Sequence, residues 1–396
     1  MLPNQLLQTI YQELENSFAE MQEIRRYLHM HPEVSFHEHK TAAYIQNFYK
    51  QLDIPFKANV GGNGIVARIT GGKPGKTVAL RADFDALAIQ DEKKVSYKST
   101  VKGVSHACGH DGHTATLLVL AKILWKHREE LPGSYVFIHQ FAEEVAPGGA
   151  KPMVDAGCLN GVDAIFGTHL WSQFPSGSIN YRSGAMMAGA DLFKIKIIGS
   201  GGHGAAPHTT VDAITVGASL VVQLQQIISR RINPTSRAVL TVGTFQSGSA
   251  PNIIAEEAKL SGTVRIFDIA VQEKIIEEIE RVVKGVCLAA NAKYEFQYLK
   301  GYIPLINHEK ETAFLAQVAE TIPGVTNVAE MDAIMVAEDF AYYVDKIPGT
   351  FFFTGAKPKE GTAYPHHHAK FDFDEQAMIV AAKTLGTAAI LYHTEK

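Results

Sequence analysis

Cysteine is scarce in this chain, and neither sign of charge is in large excess. The 396 residues include only Cys108, Cys158 and Cys287, too few for a disulfide framework, so we expect a reducing compartment, the cytoplasm. Lys and Arg total 37 while Asp and Glu total 41, and this net charge of −4 argues against nucleic acid as a partner.

Long apolar runs are missing as well. Since no stretch of about 18 apolar residues occurs, we expect no membrane-spanning helix and no membrane partner. The first residues read as an amphipathic helix, because they lack the basic start and apolar core of a signal peptide. What the chain does contain is a globular composition, 46% hydrophobic and 20% charged, together with 17 histidines.

Strands alternate with helices in the first half of the chain. This alternation is typical of an α/β layer with a mostly parallel or mixed sheet. Hydrophobic periodicity predicts helices over 5–30, 38–51 and 112–128, and strands over 64–70, 76–83, 134–142 and 163–170.

The pattern changes near residue 186. From there the predicted elements follow the order β-α-β-β-α-β, the ferredoxin-like plan, which could fold as an inserted domain. We therefore expect one domain formed by 1–185 and 304–396, and a second domain, 186–303, inserted into it. The insert has predicted strands 190–199, 237–247, 255–267 and 292–300 and helices 210–231 and 270–290; helix 308–321, strand 350–354 and helix 374–393 follow.

The densest group of chemically active residues is HACGHDGH at 106–113. A thiolate at Cys108 and an imidazole at His110 can reach one metal ion, or two adjacent ones, from a strand-to-helix turn. Gly109 between them lets the backbone fold close to the ions. The alternative is a buried cysteine beside polar residues that cap a helix.

Other polar residues follow predicted strands, where α/β sheets place their ligands. Two adjacent carboxylates can divide their roles, one binding metal and the other moving protons. Taken singly, each group also fits a structural role as a solvated acidic pair, a core histidine, a surface histidine run or a loop cap. The groups after predicted strands are Glu143–Glu144, His169, and Asp83 with Asp85, whereas the run 366–368 precedes an aromatic strand-like segment and could supply a further ligand.

The segment GSGGHG at 199–204 formally matches the G-x-G-x-x-G pattern of dinucleotide-binding sites. Pro207 delays the following helix, and no acid stands about 20 residues on to bind a ribose. A flexible loop that carries His203 is the better interpretation.

Together these motifs resemble the metal-dependent amidohydrolases that include hippurate hydrolase, auxin-conjugate hydrolases and bacterial N-acyl-amino-acid deacetylases. The resemblance implies a two-metal, aminopeptidase-like α/β catalytic domain with an inserted ferredoxin-like lid that also dimerises. It extends over almost the whole chain, through LRADFDAL (80–87), HACGHDGH (106–113), QFAEEVAPGGA (140–150), GTHL (167–170), GSGGHGAAPH (199–208), SAPNII (249–254), AEDF (337–340) and HHHAKFDFDE (366–375).

The resemblance also implies a role for individual residues. It makes Glu143 the general base, Asp85 the orienting acid in preference to Asp83, and His203 the lid histidine that approaches the substrate carbonyl. Among the histidine run, His367 has an aromatic residue four positions on and an acid five positions on, although His366 and His368 stay open. The implied metal ligands are Cys108, His110, Glu144, His169 and His367, and the implied substrate contacts are Asn252 and Arg265.

The implied activity is hydrolysis of N-acyl amino acids, small-molecule substrates, by a water that two divalent ions activate. A thiolate ligand favours zinc over magnesium or calcium and leaves manganese, cobalt and nickel open. The alternatives are a dipeptidase or other exopeptidase on the same metal platform, and a metal-binding relative without activity. Exopeptidase relatives carry His-x-Asp where this chain has Asp83 to Asp85, and Asp where it has Cys108.

Overall fold

The computed structural model describes residues 4–393, and within them the chain divides into two compact units. Unit 1 consists of 4–186, 306–332 and 339–393, and unit 2 consists of 187–305 with 333–338. The segment 333–338 is a difference from the sequence prediction, which leaves it in the catalytic domain. The predicted domain ends at 1–3 and 394–396 lie outside the described residues.

The N-terminal helix differs from its prediction. Instead of one helix over 5–30, the chain forms two helices that are separated at Ser17, whose ψ of 6° leaves the helical range. Asn and Ser at 16–17 are weak helix formers, which accounts for the break. Up to residue 187 the elements are α1 Asn4–Asn16, α2 Phe18–Met30, α3 His39–Gln51, β1 Phe56–Val60, β2 Gly64–Thr70, β3 Lys73–Asp83, α4 His110–Lys126, β4 Pro132–Gln140, α5 Ala150–Asp155, β5 Ala164–Trp171, β6 Ser178–Tyr181 and β7 Gly184–Met187.

Unit 2 is built on an antiparallel sheet that α6 and α7 cover. The strand order is β10-β12-β8-β13, and the chain order of its main elements is β-α-β-β-α-β. Strand residues alternate across the sheet: Phe193, Ile195 and Ile197 lie in the core, whereas Leu192 and Lys194 are exposed. The elements are β8 Gly189–Ile198, β9 Gly202–His203, α6 Ala213–Gln226, β10 Ala238–Ser247, β11 Ile253–Ile254, β12 Glu257–Ile266, α7 Ile269–Ala289 and β13 Lys293–Tyr302.

The chain then returns to unit 1 and completes its sheet. Among the described residues this sheet has eight strands in the order β1-β2-β4-β3-β5-β16-β6-β15 and is mixed. No helix within residues 4–393 has both the length and the apolar character needed to cross a bilayer. The last elements are β14 Leu305–Asn307, α8 Glu309–Ala319, β15 Asn327–Glu330, α9 Ala341–Val344, β16 Gly349–Gly355 and α10 Ala377–Tyr392.

The four central strands β4, β3, β5 and β16 run parallel to one another. They are almost wholly buried towards their carboxyl ends, as expected of strands covered on both faces. Because parallel strands end at the same edge, the residues that follow them converge there. That edge receives the segment after Asp83, the segment after Gln140, His169 near the end of β5, and the chain that follows Gly355.

Candidate metal centre

The turn into α4 carries the first two candidate ligands. Gly109 is the residue before the helix and has a φ of 94°, a left-handed conformation that favours glycine. This turn places Cys108 just outside α4 and His110 at its first position, and both side chains are buried. The turn into α4 is therefore present, but irregular chain from 84 to 109 precedes it, so the expectation of a strand before this turn is wrong.

Cys108, His110 and His169 form one group whose candidate ligand atoms all lie within 4.8 Å of one another. Cys108 Sγ is 3.3 Å from His169 Nε2, and His169 Nδ1 donates to the carbonyl oxygen of Leu170. His110 Nδ1 lies 3.2 Å from Asp85 Oδ1, so the carboxylate accepts its proton. In both rings the Nδ1 bond fixes the tautomer and leaves the Nε2 lone pair for a metal.

A second group shares the thiol of the first. It contains Cys108, Glu144 and His367, again within 4.8 Å, and His367 Nε2 is 3.2 Å from Glu144 Oε2. Glu143 and Glu144 also form a group with His110. Since Cys108 and His110 each belong to more than one group, the arrangement suits two neighbouring ions that share ligands.

The three consecutive histidines differ in their hydrogen bonds and ring contacts. His366 Nε2 donates to the Leu170 carbonyl, and its ring stacks on Trp171 at 4.3 Å between centroids. His368 stacks on Tyr364, and its Nδ1 accepts from the Lys370 amide. Within the described residues, His367 is the member of the run that enters a metal-binding group.

Asp83 and His113 also lie close to His110, but both side chains are already engaged in hydrogen bonds within the protein. His113 Nδ1 donates to Asp83 Oδ1 at 2.6 Å, and its Nε2 accepts the amide of Leu170. Arg81 donates to the other oxygen of Asp83 at 2.7 Å. These two residues therefore support the centre rather than offer free lone pairs.

The electrostatics of the centre favour a bound cation. Burial alone would lower the pKa of His110, but the neighbouring Asp83 and Asp85 carboxylates raise it to about 10. Burial raises the pKa of the Cys108 thiol, and the negative charge of Glu144 raises it further. Carboxylates and a thiol thus lie close together around His110, and a divalent ion bound there would offset their negative charge.

Unsatisfied atoms point to the same volume. Among the described residues, eight buried side-chain atoms have no hydrogen-bond partner, and two of them, His110 Nε2 and Glu144 Oε1, lie in this centre. Buried polar atoms are ordinarily paired, so these two call for an explanation. A mixed set of sulfur, nitrogen and carboxylate oxygen donors fits a borderline ion such as zinc, and the residues present therefore fit the group that the sequence implies.

The candidate substrate residues lie in unit 2, and the structure groups two of the three. His203 lies on the short strand β9, paired with Ile253, rather than on an irregular loop. Asn252 is joined to the same segment, because its carbonyl accepts the Gly204 amide. Arg265 is eight residues beyond the start of β12, roughly 27 Å along the strand, so it does not join them.

Two buried residues beside the centre are absent from the sequence prediction. Arg25 bonds Asp111 next to His110, and Glu38 accepts the amide of Ala142 just before Glu143. Both lie in the first helical segments, far along the chain from the motifs that they contact. The tandem arginine in RRYLHMHPE at 25–33 is the available signal for the first of them.

Known proteins share this fold and these motifs. A model of peptidase family M20/M25/M40 matches residues 79–390. YhaA of Bacillus subtilis (strain 168) is 54% identical over 389 residues, 98% of each protein. The N-acyl-L-amino acid amidohydrolase of Geobacillus stearothermophilus is 47% identical over 291 residues, 72% of this chain and 77% of that protein.

A solved structure extends the likeness to three dimensions. Bacillus subtilis YXEP, a dinuclear metal binding peptidase from the M20 family, matches with a TM-score of 0.83 at 32% identity, over 96% of this chain and 100% of the other. These findings confirm the resemblance carried by the motifs. The chain is a metal-dependent hydrolase with the α/β fold of dinuclear metal peptidases, and it belongs to peptidase family M20/M25/M40.

Proposed function

We propose that this protein hydrolyses the amide bond of N-acyl amino acids and releases a carboxylic acid and a free amino acid. The observation that carries the proposal is the pair of metal-binding groups that share Cys108, with the buried Glu143 beside them. The amidohydrolase named among the relatives supports the same reaction class.

The metal ligands in this proposal are those of the two groups, Cys108, His110, Glu144, His169 and His367. Two divalent ions, zinc in first place and manganese, cobalt or nickel as alternatives, would lower the pKa of water from about 15.7 towards about 7 and polarise the acyl carbonyl. Asp85 orients His110 through the bond to Nδ1.

Glu143 acts as the general base and then as the general acid. It accepts the proton of the attacking water and delivers it to the departing amine, which is otherwise a poor leaving group. Its carboxylate is buried and stands in one group with His110 and Glu144, within reach of the same small volume.

Unit 2 supplies the substrate contacts. His203 Nδ1 accepts the Ala205 amide at 3.0 Å, so Nε2 carries the proton and can donate to a carbonyl oxygen. That donation would stabilise the developing oxyanion, and Asn252, which is joined to the same segment, would bind the substrate carboxylate. Unit 2 acts as a lid in this proposal, so the site is complete when the lid closes.

Unit 2 is also the proposed dimer interface. β10 is an edge strand of its sheet, and α6 contains no charged residue. Ile214, Ala218 and Val222 recur every four residues on α6 and are exposed, Val222 by 63%. An uncharged helix beside an open strand edge is suited to a second copy related by a two-fold axis. The three free, buried cysteines fit a cytoplasmic setting.

The test is a screen of N-acetyl and N-benzoyl amino acids with metal-loaded protein, followed by amino-acid release and elemental analysis of the same sample. We expect chelator-sensitive turnover. Glu143→Gln should keep the metal and lose roughly 100-fold or more in kcat, because proton transfer is removed. Cys108→Ala should lose metal instead.

Three results would contradict parts of the proposal. A metal-loaded protein that releases no amino acid from any of these substrates would end the assignment of the reaction. Activity that survives in Glu143→Gln would exclude Glu143 as the base. Unchanged metal content in Cys108→Ala would break the ligand assignment.

A further inference from the structure

Arg25, on α2, lies at the centre of a buried ionic cluster that the proposed reaction does not use. Its side chain has no exposed surface, and each nitrogen binds a different carboxylate. Nε lies 2.9 Å from Asp111, Nη2 lies 2.7 Å from Asp372, and Nη1 lies 3.0 Å from Glu375.

These carboxylates belong to the two segments that carry proposed metal ligands. Asp111 directly follows His110, whereas Asp372 and Glu375 follow His367 within eight residues. The bonds of Arg25 therefore join the first turn of α4 to the segment after the histidine run.

Other contacts fix the same carboxylates in place. His29 lies one turn after Arg25 on α2, and its Nδ1 is 2.7 Å from Asp111 Oδ2. The hydroxyl of Tyr97 donates to Asp372 Oδ2 at 2.7 Å. Each of the two segments is thus held from more than one side.

The geometry requires an arginine. A guanidinium presents donors in several directions within one plane, whereas a lysine ammonium is a point charge at the end of a flexible chain. The rings of Tyr97 and Phe373 lie against the guanidinium carbon, at 4.8 and 4.5 Å from centroid to Cζ. A lysine at position 25 could neither fill this flat space nor reach all three carboxylates.

We propose that Arg25 is a positioning residue for the metal centre. It holds residues 108–111 and 367–375 at the separation at which Cys108 and His367 can bind the same ion. Loss of this link loosens the ligand set and weakens metal binding, although Arg25 itself contacts no ligand side chain. The inference rests on the ligand set of the proposed function but not on its substrate.

Arg26 offers a matched control on the neighbouring position. It also binds Glu375, through Nε at 3.0 Å and Nη2 at 2.7 Å, and it also lies over the Tyr97 ring. Its side chain is 36% exposed, and its ion pair joins it to Glu375 alone of the three carboxylates. Arg26→Lys therefore removes a guanidinium from the same cluster without breaking the link between the segments.

The experiment measures zinc affinity by competition with a chromophoric chelator for wild type, Arg25→Lys and Arg26→Lys. We expect Arg25→Lys to bind zinc about 10- to 100-fold more weakly, the usual effect of losing an outer-shell partner. Arg26→Lys should stay within about threefold of wild type. Circular dichroism of the metal-free proteins checks that each variant is folded.

A folded Arg25→Lys variant with wild-type zinc affinity would overturn the inference. If Arg25→Lys does not fold, Asp111→Ala decides, because Asp111 carries the bond of Arg25 to α4, whereas Arg25 stays bound to Asp372 and Glu375. Weakened zinc binding in Asp111→Ala supports the inference, and wild-type affinity there refutes it.

The same measurements separate this inference from the proposed function. A wild type that binds zinc but releases no amino acid would end the proposed function and leave the role of Arg25 standing. A wild type that hydrolyses N-acyl amino acids, beside an Arg25→Lys variant of normal zinc affinity, would end the inference alone.

Discussion

At the scale of single residues, the two nitrogens of each imidazole decide its role. His110 and His169 each have Nδ1 engaged by the protein and Nε2 directed towards Cys108 or the neighbouring carboxylates. His113 has both nitrogens engaged, and His366 uses its Nε2 on a carbonyl. A ligand candidate therefore needs one nitrogen left over, and that nitrogen must also belong to a metal-binding group, a condition that His366 does not meet among the described residues.

This distinction explains how much of the site the sequence can predict. Spacing singles out Cys108 and His110, a strand end singles out the pair Glu143–Glu144, and the family resemblance assigns Glu144 to the metal. The choice of His367 from its run needs the stacking of His366 on Trp171, a contact across 195 residues of chain. The partners of Arg25 and Glu38 are distant in sequence, so the tandem arginine at 25–26 is the available signal for the first, and the second has none.

The pKa of Asp372 predicts how stability depends on pH. Burial would raise this pKa, but Arg25 and Lys93 lower it to about 2, below the usual value of about 3.9. A lowered carboxyl pKa stabilises the fold above the unfolded pKa, and this contribution is lost as pH falls from about 4 to about 2. Asp372→Asn should therefore cost about 2 kcal/mol of unfolding free energy at pH 6 and progressively less below pH 4.

Urea unfolding of metal-free protein at several pH values measures this difference. Asp155→Asn is the control, because Asp155 forms an exposed ion pair with Lys151, and such pairs contribute little. A cost of Asp372→Asn that stays constant from pH 6 down to pH 2 would contradict the prediction.

At the scale of elements, buried acids hold the loop after β4 that presents Glu143. Glu38 Oε1 accepts the amides of Phe36 and Ala142, at 2.8 and 2.9 Å. Asp85 accepts the amide of Glu144 at 3.0 Å, and Asp339 accepts that of Ala150 at 3.0 Å. Carboxylates thus hold the loop through its backbone at both ends and in the middle.

Glu38→Ala should disturb this loop without touching a ligand. Glu38 is fully buried, and its two oxygens accept hydrogen bonds from the Ala142 amide and from the Asn63 side chain. Alanine leaves the Ala142 amide without this acceptor, so the loop loses a bond that holds it. Because a misplacement of about 1 Å can cost 100-fold in rate, we expect kcat to fall about 10- to 100-fold while zinc content is retained.

Steady-state kinetics and elemental analysis test this prediction. Glu33→Ala is the matched control, since Glu33 accepts from the backbone and hydroxyl of Thr41 at the start of α3 but does not bond the loop. If Glu38→Ala and Glu33→Ala have the same kcat, Glu38 does not position the loop.

The elements themselves vary in how well local pattern predicts them. Strand 64–70 is found as predicted, because most of its residues are β-branched or apolar and a glycine turn follows it. β1, Phe56–Val60, was not predicted, since it is an edge strand of intermediate and exposed residues with little hydrophobic contrast. The helix break at Ser17 was missed because apolar periodicity continues across it.

At the scale of the whole molecule, the chain leaves unit 1 and returns to it more than once. Besides the long insertion, the segment 333–338 belongs to unit 2, where the Ala188 amide bonds the carbonyls of Ile334 and Val336. No change in composition marks the ends of this short segment. Its place in unit 2 is set by backbone hydrogen bonds between segments that are distant in sequence. Local sequence therefore predicts the main insertion but not this second crossing.

The last prediction concerns the proposed dimer. If α6 packs against its copy about a two-fold axis, Val222→Glu places two like charges into one apolar interface. Desolvating these carboxylates without partners is unfavourable, so the variant should have the mass of one chain by sedimentation equilibrium, and wild type that of two. Leu192→Glu, on the opposite face of the sheet, should remain dimeric. A dimeric Val222→Glu would exclude this helix from the interface, and a monomeric wild type would exclude the dimer.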